Sequence, residues 1–123
     1  MILVDTSVWI DHLRRGDDGL TELLNQRLVL THPFVIGELA LGNLRQRDIV
    51  LSALLGIPRA NVANDDEVMR LINQESLFGF GIGYIDAHLL AAARLAADAT
   101  LWTRDKRLSA VADRLSLAAR VAQ

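Results

Sequence analysis

Two aspartates follow apolar runs of the kind that form buried strands. Asp5 ends the opening segment MILVD, and Asp105 lies just past LW in the segment LWTRD. In an open parallel sheet, ligands bind outside the carboxyl ends of the strands, near the point where the strand order reverses. The two carboxylates are therefore candidates for one shared cation site. Thr6, Ser7 and Thr103 lie beside them and could orient carboxylates or waters, or cap helices.

Glu38 and Asp86 are acids without a basic neighbour on the helices predicted to carry them. A helical residue shares its face with the residues three and four positions away. These neighbours are Phe34, Val35, Leu41 and Gly42 for Glu38, and Ile82, Gly83, Leu89 and Leu90 for Asp86. Asp11, by contrast, has Arg14 and Arg15 at the matching positions, as a solvent-facing acid should. Glu38 and Asp86 are therefore predicted to face the same pocket as the strand-end acids.

Several carboxylates in one partly apolar pocket require compensation, because a buried charge without a partner is strongly unfavourable. No arginine is placed near Glu38 or Asp86 in the sequence. A hard divalent cation that prefers oxygen ligands, Mg²⁺ or Mn²⁺, would compensate these charges best. Each acid also has a structural alternative. Asp5 and Asp105 could cap the helices that follow them, Asp86 could be a first-turn acid, and Glu38 could extend into water.

The elements that must position these acids alternate between strand and helix. Strands are predicted over 1–4, 27–32, part of 57–64, 99–105 and 117–122, and helices over 7–14, 20–26, 33–45, 48–55, 65–77, 84–97 and 106–115. Ser7 is the predicted cap of the first helix. This alternation predicts a parallel sheet covered by helices on both faces, which is an α/β fold.

Composition limits the class of protein. A chain of 123 residues suits one domain, residues 1–123, and the absence of cysteine excludes disulfides and thiolate metal sites. No segment has the charge pattern of a signal peptide or the roughly 20 apolar residues of a membrane span, so a soluble cytoplasmic protein is expected. The net charge of −2 does not by itself indicate a nucleic-acid binder.

Two further features are weak signals. His12, His32 and His88 lack the spacing of a metal motif, and they are interpreted as structural residues at surface or turn sites. The segment FGFGIG contains GxGxG, but it follows a predicted helix and not a strand, which disfavours dinucleotide binding. It is predicted to be a glycine-rich turn.

The motifs taken together resemble a known family. ILVDTSVWIDHLR, GEL with Glu38, GYIDAHLLAAA with Asp86 and LWTRDKRL with Asp105 are similar in order and spacing to the PIN-domain ribonucleases, specifically the VapC toxins of bacterial toxin-antitoxin pairs. The resemblance covers the whole chain. It implies a three-layer α/β/α sandwich with a central parallel sheet of about five strands.

The resemblance also implies an activity, which is Mg²⁺-dependent endonucleolytic cleavage of RNA. Asp5, Glu38, Asp86 and Asp105 match the acidic quartet of the family, and Thr103 matches its additional polar position. Without these four acids the remaining net charge changes from −2 to +2, so the rest of the surface can attract RNA mildly. The arginines suggested for phosphate contacts are Arg14, Arg15, Arg45, Arg47, Arg104 and Arg107.

A protein partner is expected as well. The predicted helices between Phe34 and Leu55 carry more apolar side chains than a thin sheet needs, namely Leu39, Leu41, Leu44, Ile49, Val50 and Leu54. With the resemblance, this surplus suggests a groove for a segment of a VapB-type antitoxin, and a homodimer.

Two other functions are compatible with parts of the pattern. A PIN fold without catalysis could act only as a binding module, although the complete quartet argues against it. A phosphorylated receiver domain has a similar size, but it requires a pair of acids after the first strand and a lysine after a late strand. Here only Asp5 follows the first strand, and Lys106 lies at a helix start after Asp105.

Overall fold

A computed structural model describes residues 1–121 of the chain. Its elements, in chain order, are β1 (Ile2–Val4), α1 (Thr6–Arg15), α2 (Asp18–Asn25), β2 (Val29–Leu30), α3 (Pro33–Leu41), α4 (Arg47–Leu55), α5 (Asp65–Gln74), α6 (Tyr84–Leu95), β3 (Thr100–Trp102) and α7 (Lys106–Arg114). The predicted α/β class with a parallel sheet is confirmed.

The sheet has the strand order β2-β1-β3, and both strand pairs are parallel. Single parallel bridges extend it on each side, between Thr31 and Arg59 and between Leu101 and Ala118. Five segments therefore lie side by side, although the two outer ones are too short to count as strands. They correspond to the predicted strands within 57–64 and 117–122, of which residue 122 lies outside the described part.

The core is built from small and branched aliphatic residues. Leu3 and Val4 of β1 and Leu101 of β3 are buried, as expected for the interior of a parallel sheet. Helix α6 is buried from Ala87 to Ala93, and it packs against α5 and β3. A helix that is apolar on all sides belongs to the interior, and its alanines allow these neighbours to approach closely. Helix α3 contacts α1 and α4 in a second group.

Several predicted helix boundaries are wrong, since α5 ends at Gln74 and α6 at Leu95, and two further errors bear on the site. Helix α1 begins at Thr6, so Asp5 and not Ser7 occupies the N-cap position. Helix α3 ends at Leu41, four residues before the predicted end, because Gly42 leaves the helical conformation with φ −82° and ψ 177°. Its start is set by the side chain of His32, which accepts a hydrogen bond from Phe34 N, and by Pro33 in the first turn.

The prediction of surface or turn sites is also wrong for two of the histidines. His32 is 0% exposed and His88 is 3% exposed. Both rings pack edge-to-face against Phe34, with centroid distances of 5.0 and 4.8 Å. The helical periodicity of the sequence could not predict this burial, because the three rings come from the start of α3 and the middle of α6. Among residues 1–121, no helix is long and apolar enough to cross a membrane.

Candidate active site

The carboxyl ends of β1 and β3 meet at the point where the strand order reverses. Asp5 N donates to Trp102 O at 2.9 Å, which places Asp5 beside Thr103. Each of the three strands is followed within a few residues by a helix, α1 after β1, α3 after β2 and α7 after β3. This edge is therefore the position at which parallel sheets bind ligands.

Asp5 is the buried acid of this edge, with 7% of its surface exposed. Its Oδ2 accepts hydrogen bonds from the hydroxyls of Ser7 at 2.7 Å and Thr103 at 2.8 Å. The Ser7 hydroxyl in turn accepts from Arg104 N at 2.9 Å. The carboxylate is thus fixed by two side chains, and one of these is tied to the segment after β3. Although Asp5 lies at the N-cap position of α1, its side chain makes no cap hydrogen bond.

Glu38 reaches the same edge from α3. Its Oε1 accepts a hydrogen bond from the Thr6 hydroxyl at 2.7 Å, directly beside Asp5. The residue is exposed, so the expectation that it faces apolar material is wrong. Its apolar same-face neighbours explain the error, because Leu41 is itself 91% exposed. Glu38 therefore points toward solvent at the mouth of the site.

Asp86 lies in the first turn of α6 and is half-buried. Its Oδ2 accepts a hydrogen bond from Gly83 N at 2.9 Å. Burial raises the pKa of Asp86, and the charges of Asp5, Asp105 and Glu38 raise it further, while the bond from Gly83 opposes them. A charge shifts the pKa of another group only when the two lie close together. The structure therefore brings all four predicted acids into one electrostatic neighbourhood.

Asp105 holds the start of α7. Its Oδ1 accepts from Arg107 N at 2.9 Å and from Leu108 N at 3.1 Å, so the structural alternative of a helix cap is correct for this residue. Its own N–H donates to the Thr103 hydroxyl at 3.1 Å. Asp105 is exposed. Because Oδ1 is committed to the helix, Oδ2 is the oxygen that remains for a further ligand.

None of the four acids has an ion-pair partner within the described residues. Every ion pair found there involves a different acid. In the same part of the chain, no three acids or histidines are arranged as a ready-made metal cage. Each carboxylate bonds instead to a local hydroxyl or N–H donor. The donor set nevertheless suits a hard cation, because it offers only oxygens and because Asp86 carries the repulsion of three other acids.

The suggested phosphate-binding arginines differ in their surroundings. Arg104 lies over the Trp102 ring, 5.5 Å from its centroid, and pairs with Asp11 and Asp17. Asp17 also caps α2 through Leu20 N. Arg104 thus joins the segment after β3 to α1 and α2, a structural role that its position in the sequence did not reveal.

The other suggested arginines occupy several places. Arg15 pairs with Asp11, and Arg47 donates to Ala40 O. Arg14 and Arg45 line a groove. Arg107 packs against the backbone of Gly81.

A groove of about 710 Å³ opens beside Glu38, between α1 and the segment from α3 to α4. Its apolar lining comes from Ile10, Leu13, Leu39, Leu44 and Val50. Of the apolar residues expected there, Leu54 belongs to the core, whereas Leu41 and Ile49 are exposed. Ile10 and Leu13 of α1 were missed, although they are spaced three residues apart as one helix face requires.

Comparisons with known proteins identify the family of this chain. The family model of the PIN domain matches residues 2–114. Two curated relatives, each called Ribonuclease VapC32, come from Mycobacterium tuberculosis strains CDC 1551 / Oshkosh and ATCC 25618 / H37Rv. Each is 53% identical over 110 residues, which is 89% of this chain and 89% of the relative.

Proposed function

Because this chain belongs to the PIN domain family, and within it to the VapC ribonucleases, we propose that it is a metal-dependent endoribonuclease and the toxin of a toxin-antitoxin pair. The observation that carries the proposal is that Asp5 after β1, Asp105 after β3, Glu38 on α3 and Asp86 on α6 converge at one edge of the sheet. In agreement with this placement, burial and the charges of the other three acids raise the pKa of Asp86. Such repulsion is characteristic of a site that binds a cation.

The cation is Mg²⁺, for which Mn²⁺ can substitute, and its ligands are Asp5, Glu38, Asp86 and Asp105. When bound, a divalent ion of this kind neutralises charge on a scissile phosphate and lowers the pKa of a water that attacks it. The four acids offer only carboxylate oxygens, which are the ligands that Mg²⁺ and Mn²⁺ prefer.

The proposed role of each side chain follows from whether it is buried or exposed. Asp5 is held rigidly by Ser7 and Thr103, so it fixes the position of the site relative to the sheet. Glu38 and Asp105 are exposed and face the side from which RNA can approach. Thr103 acts as a positioning residue, because its hydroxyl connects Asp5 to the N–H of Asp105.

A nuclease assay tests this function. Purified protein is incubated with total cellular RNA in Mg²⁺ and in EDTA, and the new ends are mapped. Cleavage is expected in Mg²⁺ only. Asp5→Asn, Glu38→Gln and Asp86→Asn are each expected to lower the rate at least about 100-fold, since removal of residues that merely support metal ligands already costs about 10- to 100-fold.

Asp66→Asn is a matched control, because Asp66 is an exposed acid in the first turn of α5. It should cleave like the wild type. Circular dichroism must show that all variants are folded. A protein that binds RNA without producing new ends in Mg²⁺ would be a binding module and not a nuclease.

The antitoxin partner is assigned to the groove beside Glu38. An amphipathic segment fits it, because an apolar floor with a rim of Arg14 and Arg45 provides both burial and charge. A segment that places an arginine near Glu38 would pair with the quartet and block both the cation and RNA. The groove therefore couples partner binding to inhibition.

Mutation of the groove tests this partner. Leu13→Glu and Val50→Glu should abolish co-purification of the small protein encoded beside the toxin gene, while nuclease activity remains. A homodimer is also proposed, since Leu41 and Ile49 are 91% and 66% exposed. Light scattering of the purified toxin should give twice the mass of one chain, and a monomer at high concentration would contradict the dimer.

A further inference from the structure

The segment at residues 78–83, called here the aromatic loop, exposes two phenylalanines next to the quartet. Phe78 is 71% exposed and Phe80 is 45% exposed. It connects α5 to α6 without regular structure, and Gly79 and Gly81 have φ angles of +84° and +78°. Glycine adopts such positive φ angles easily. Exposed aromatic rings on a short loop indicate a contact surface.

Two contacts fasten the aromatic loop to the acids. At its end, Gly83 N donates to Asp86 Oδ2 at 2.9 Å. In its middle, Gly81 packs so closely against Arg107 that a Cβ atom there would lie 2.9 Å from Arg107 Nη1. Arg107 N donates in turn to Asp105 Oδ1. The loop is therefore held at a fixed position relative to both Asp86 and Asp105.

Two arginines of α7 lie beside the aromatic loop. The guanidinium carbon of Arg114 lies 4.9 Å from the centroid of Phe80, and its Nη2 donates to Glu75 O. Arg107 and Arg114 are seven residues apart and thus share one face of the helix. One face of Phe80 is covered by a cation, while part of the ring remains exposed. Positive charge therefore borders the aromatic surface.

The combination of exposed phenylalanine rings and neighbouring arginines limits the kinds of ligand that the aromatic loop can bind. Unpaired bases stack on aromatic rings and on guanidinium planes, and the phosphates between them are attracted to arginine. A duplex hides its base faces inside the helix and offers nothing to stack on a phenylalanine. A protein partner would also bury the rings and pair the arginines with its own acids, so the binding test below includes this outcome. The contacts of the loop with Asp86 and Arg107 favour RNA, because the substrate of the proposed nuclease must pass these acids. The charges favour a polyanion with exposed aromatic faces.

Building on the proposed nuclease function, we propose that the aromatic loop is a stacking site for unpaired bases of the RNA beside the scissile phosphate. Phe78 and Phe80 stack the bases, and Arg107 contacts a backbone phosphate. The contacts of the loop with Asp86 and Asp105 set the distance from the stacked base to the cleaved bond.

A binding assay with aromatic-to-aliphatic variants tests the site. The probe is a fluorescent oligoribonucleotide of mixed sequence, about 12 nucleotides long, and its anisotropy is measured with the full chain carrying Asp5→Asn to prevent cleavage. Phe78→Leu and Phe80→Leu keep the apolar volume but remove the ring. Each should weaken binding about tenfold, and the double variant more. Phe80→Tyr should bind like the parent.

Leu95→Ala is the matched control, because Leu95 is an exposed apolar residue at the opposite end of α6 from Asp86. Its affinity should stay within about twofold of the parent, well below the stacking effect. The same probe annealed to its complement should bind much more weakly. Circular dichroism of the single variants establishes that the fold is retained.

Several results would overturn the stacking site. Leucine variants with parental affinity, or a duplex that binds as well as the single strand, would exclude base stacking. Leucine variants that change only the mass in light scattering would make the loop a contact between two copies. The nuclease function is judged separately: wild type that neither binds nor cleaves RNA rejects both proposals, whereas unaffected variants of an active nuclease reject only the loop.

Discussion

Ser7 illustrates how one hydroxyl can control a carboxylate at the residue scale. It donates to Asp5, accepts from Arg104 N and lies 3.3 Å from the Thr103 hydroxyl. Asp5 therefore cannot rotate without breaking its hydrogen bonds to Ser7 in α1 and to Thr103 after β3. The rigidity of the site depends on groups that do not have to touch the substrate.

Removing either hydroxyl should reduce activity through the position of Asp5. For Ser7→Ala and Thr103→Ala we expect about 10- to 100-fold lower activity and a higher Mg²⁺ concentration at half-maximal rate. Ser109→Ala on the exposed side of α7 is the control. The measurement is cleavage rate against Mg²⁺ concentration. Unchanged Mg²⁺ dependence in both variants would mean that Asp5 does not depend on these hydroxyls.

At the scale of elements, Asp105 has two roles that substitution can separate. Asparagine keeps a cap oxygen for Arg107 N and Leu108 N but lacks the charge, whereas alanine lacks both. We expect Asp105→Asn to lose activity with little change in the free energy of unfolding. Asp105→Ala should in addition lose about 1 kcal/mol of stability. Chemical denaturation compares the two, and equal stabilities would show that the cap is unimportant.

The start of α3 depends on a neutral histidine. Burial, together with smaller contributions from the charges of His88 and Arg59, lowers the pKa of His32 from 6.5 to about 4. Its Nδ1 is the acceptor for Phe34 N, so protonation there would destroy the cap. Because the folded state binds the proton more weakly than the unfolded state, stability rises with pH between about 4 and 6.5.

His32→Asn tests this dependence, since asparagine is a good cap that does not titrate in this range. Between pH 6.5 and 4 the wild type should lose roughly 3 kcal/mol more of its free energy of unfolding than the variant does. Urea denaturation at both pH values gives the difference. Parallel losses in the two proteins would assign the acid sensitivity to the carboxylates alone.

For the whole molecule, the quartet links the site to stability. The raised pKa of Asp86 means that its ionised form is disfavoured in the folded state. The stability it contributes is present below the unfolded value of 3.8 and is lost as the pH rises through the folded value. At pH 7 the charge therefore weakens the fold unless a cation offsets it.

Asp86→Asn should consequently melt higher than wild type in EDTA. Wild type should gain more on addition of Mg²⁺, by about 1.4 kcal/mol at ten times the dissociation constant, which is a few degrees. Thermal melts of both proteins in EDTA and in Mg²⁺ measure this. Equal Mg²⁺ responses, or a variant that is less stable in EDTA, would reveal a structural role for Asp86 that outweighs the repulsion.

The sequence by itself determined the fold class and the strand-end acids. Asp5 and the segment before Asp105 were readable because a short apolar run that ends on a polar residue is a local signal. Only the tertiary structure decided that Glu38 reaches the residue beside Asp5, and that the buried rings of His32 and His88 both pack against Phe34. The Thr6–Glu38 contact joins residues 32 positions apart, and the Phe34–His88 contact joins α3 to α6. Helical periodicity shows which residues share a face, but not what that face meets, because packing between elements determines the surroundings of each side chain.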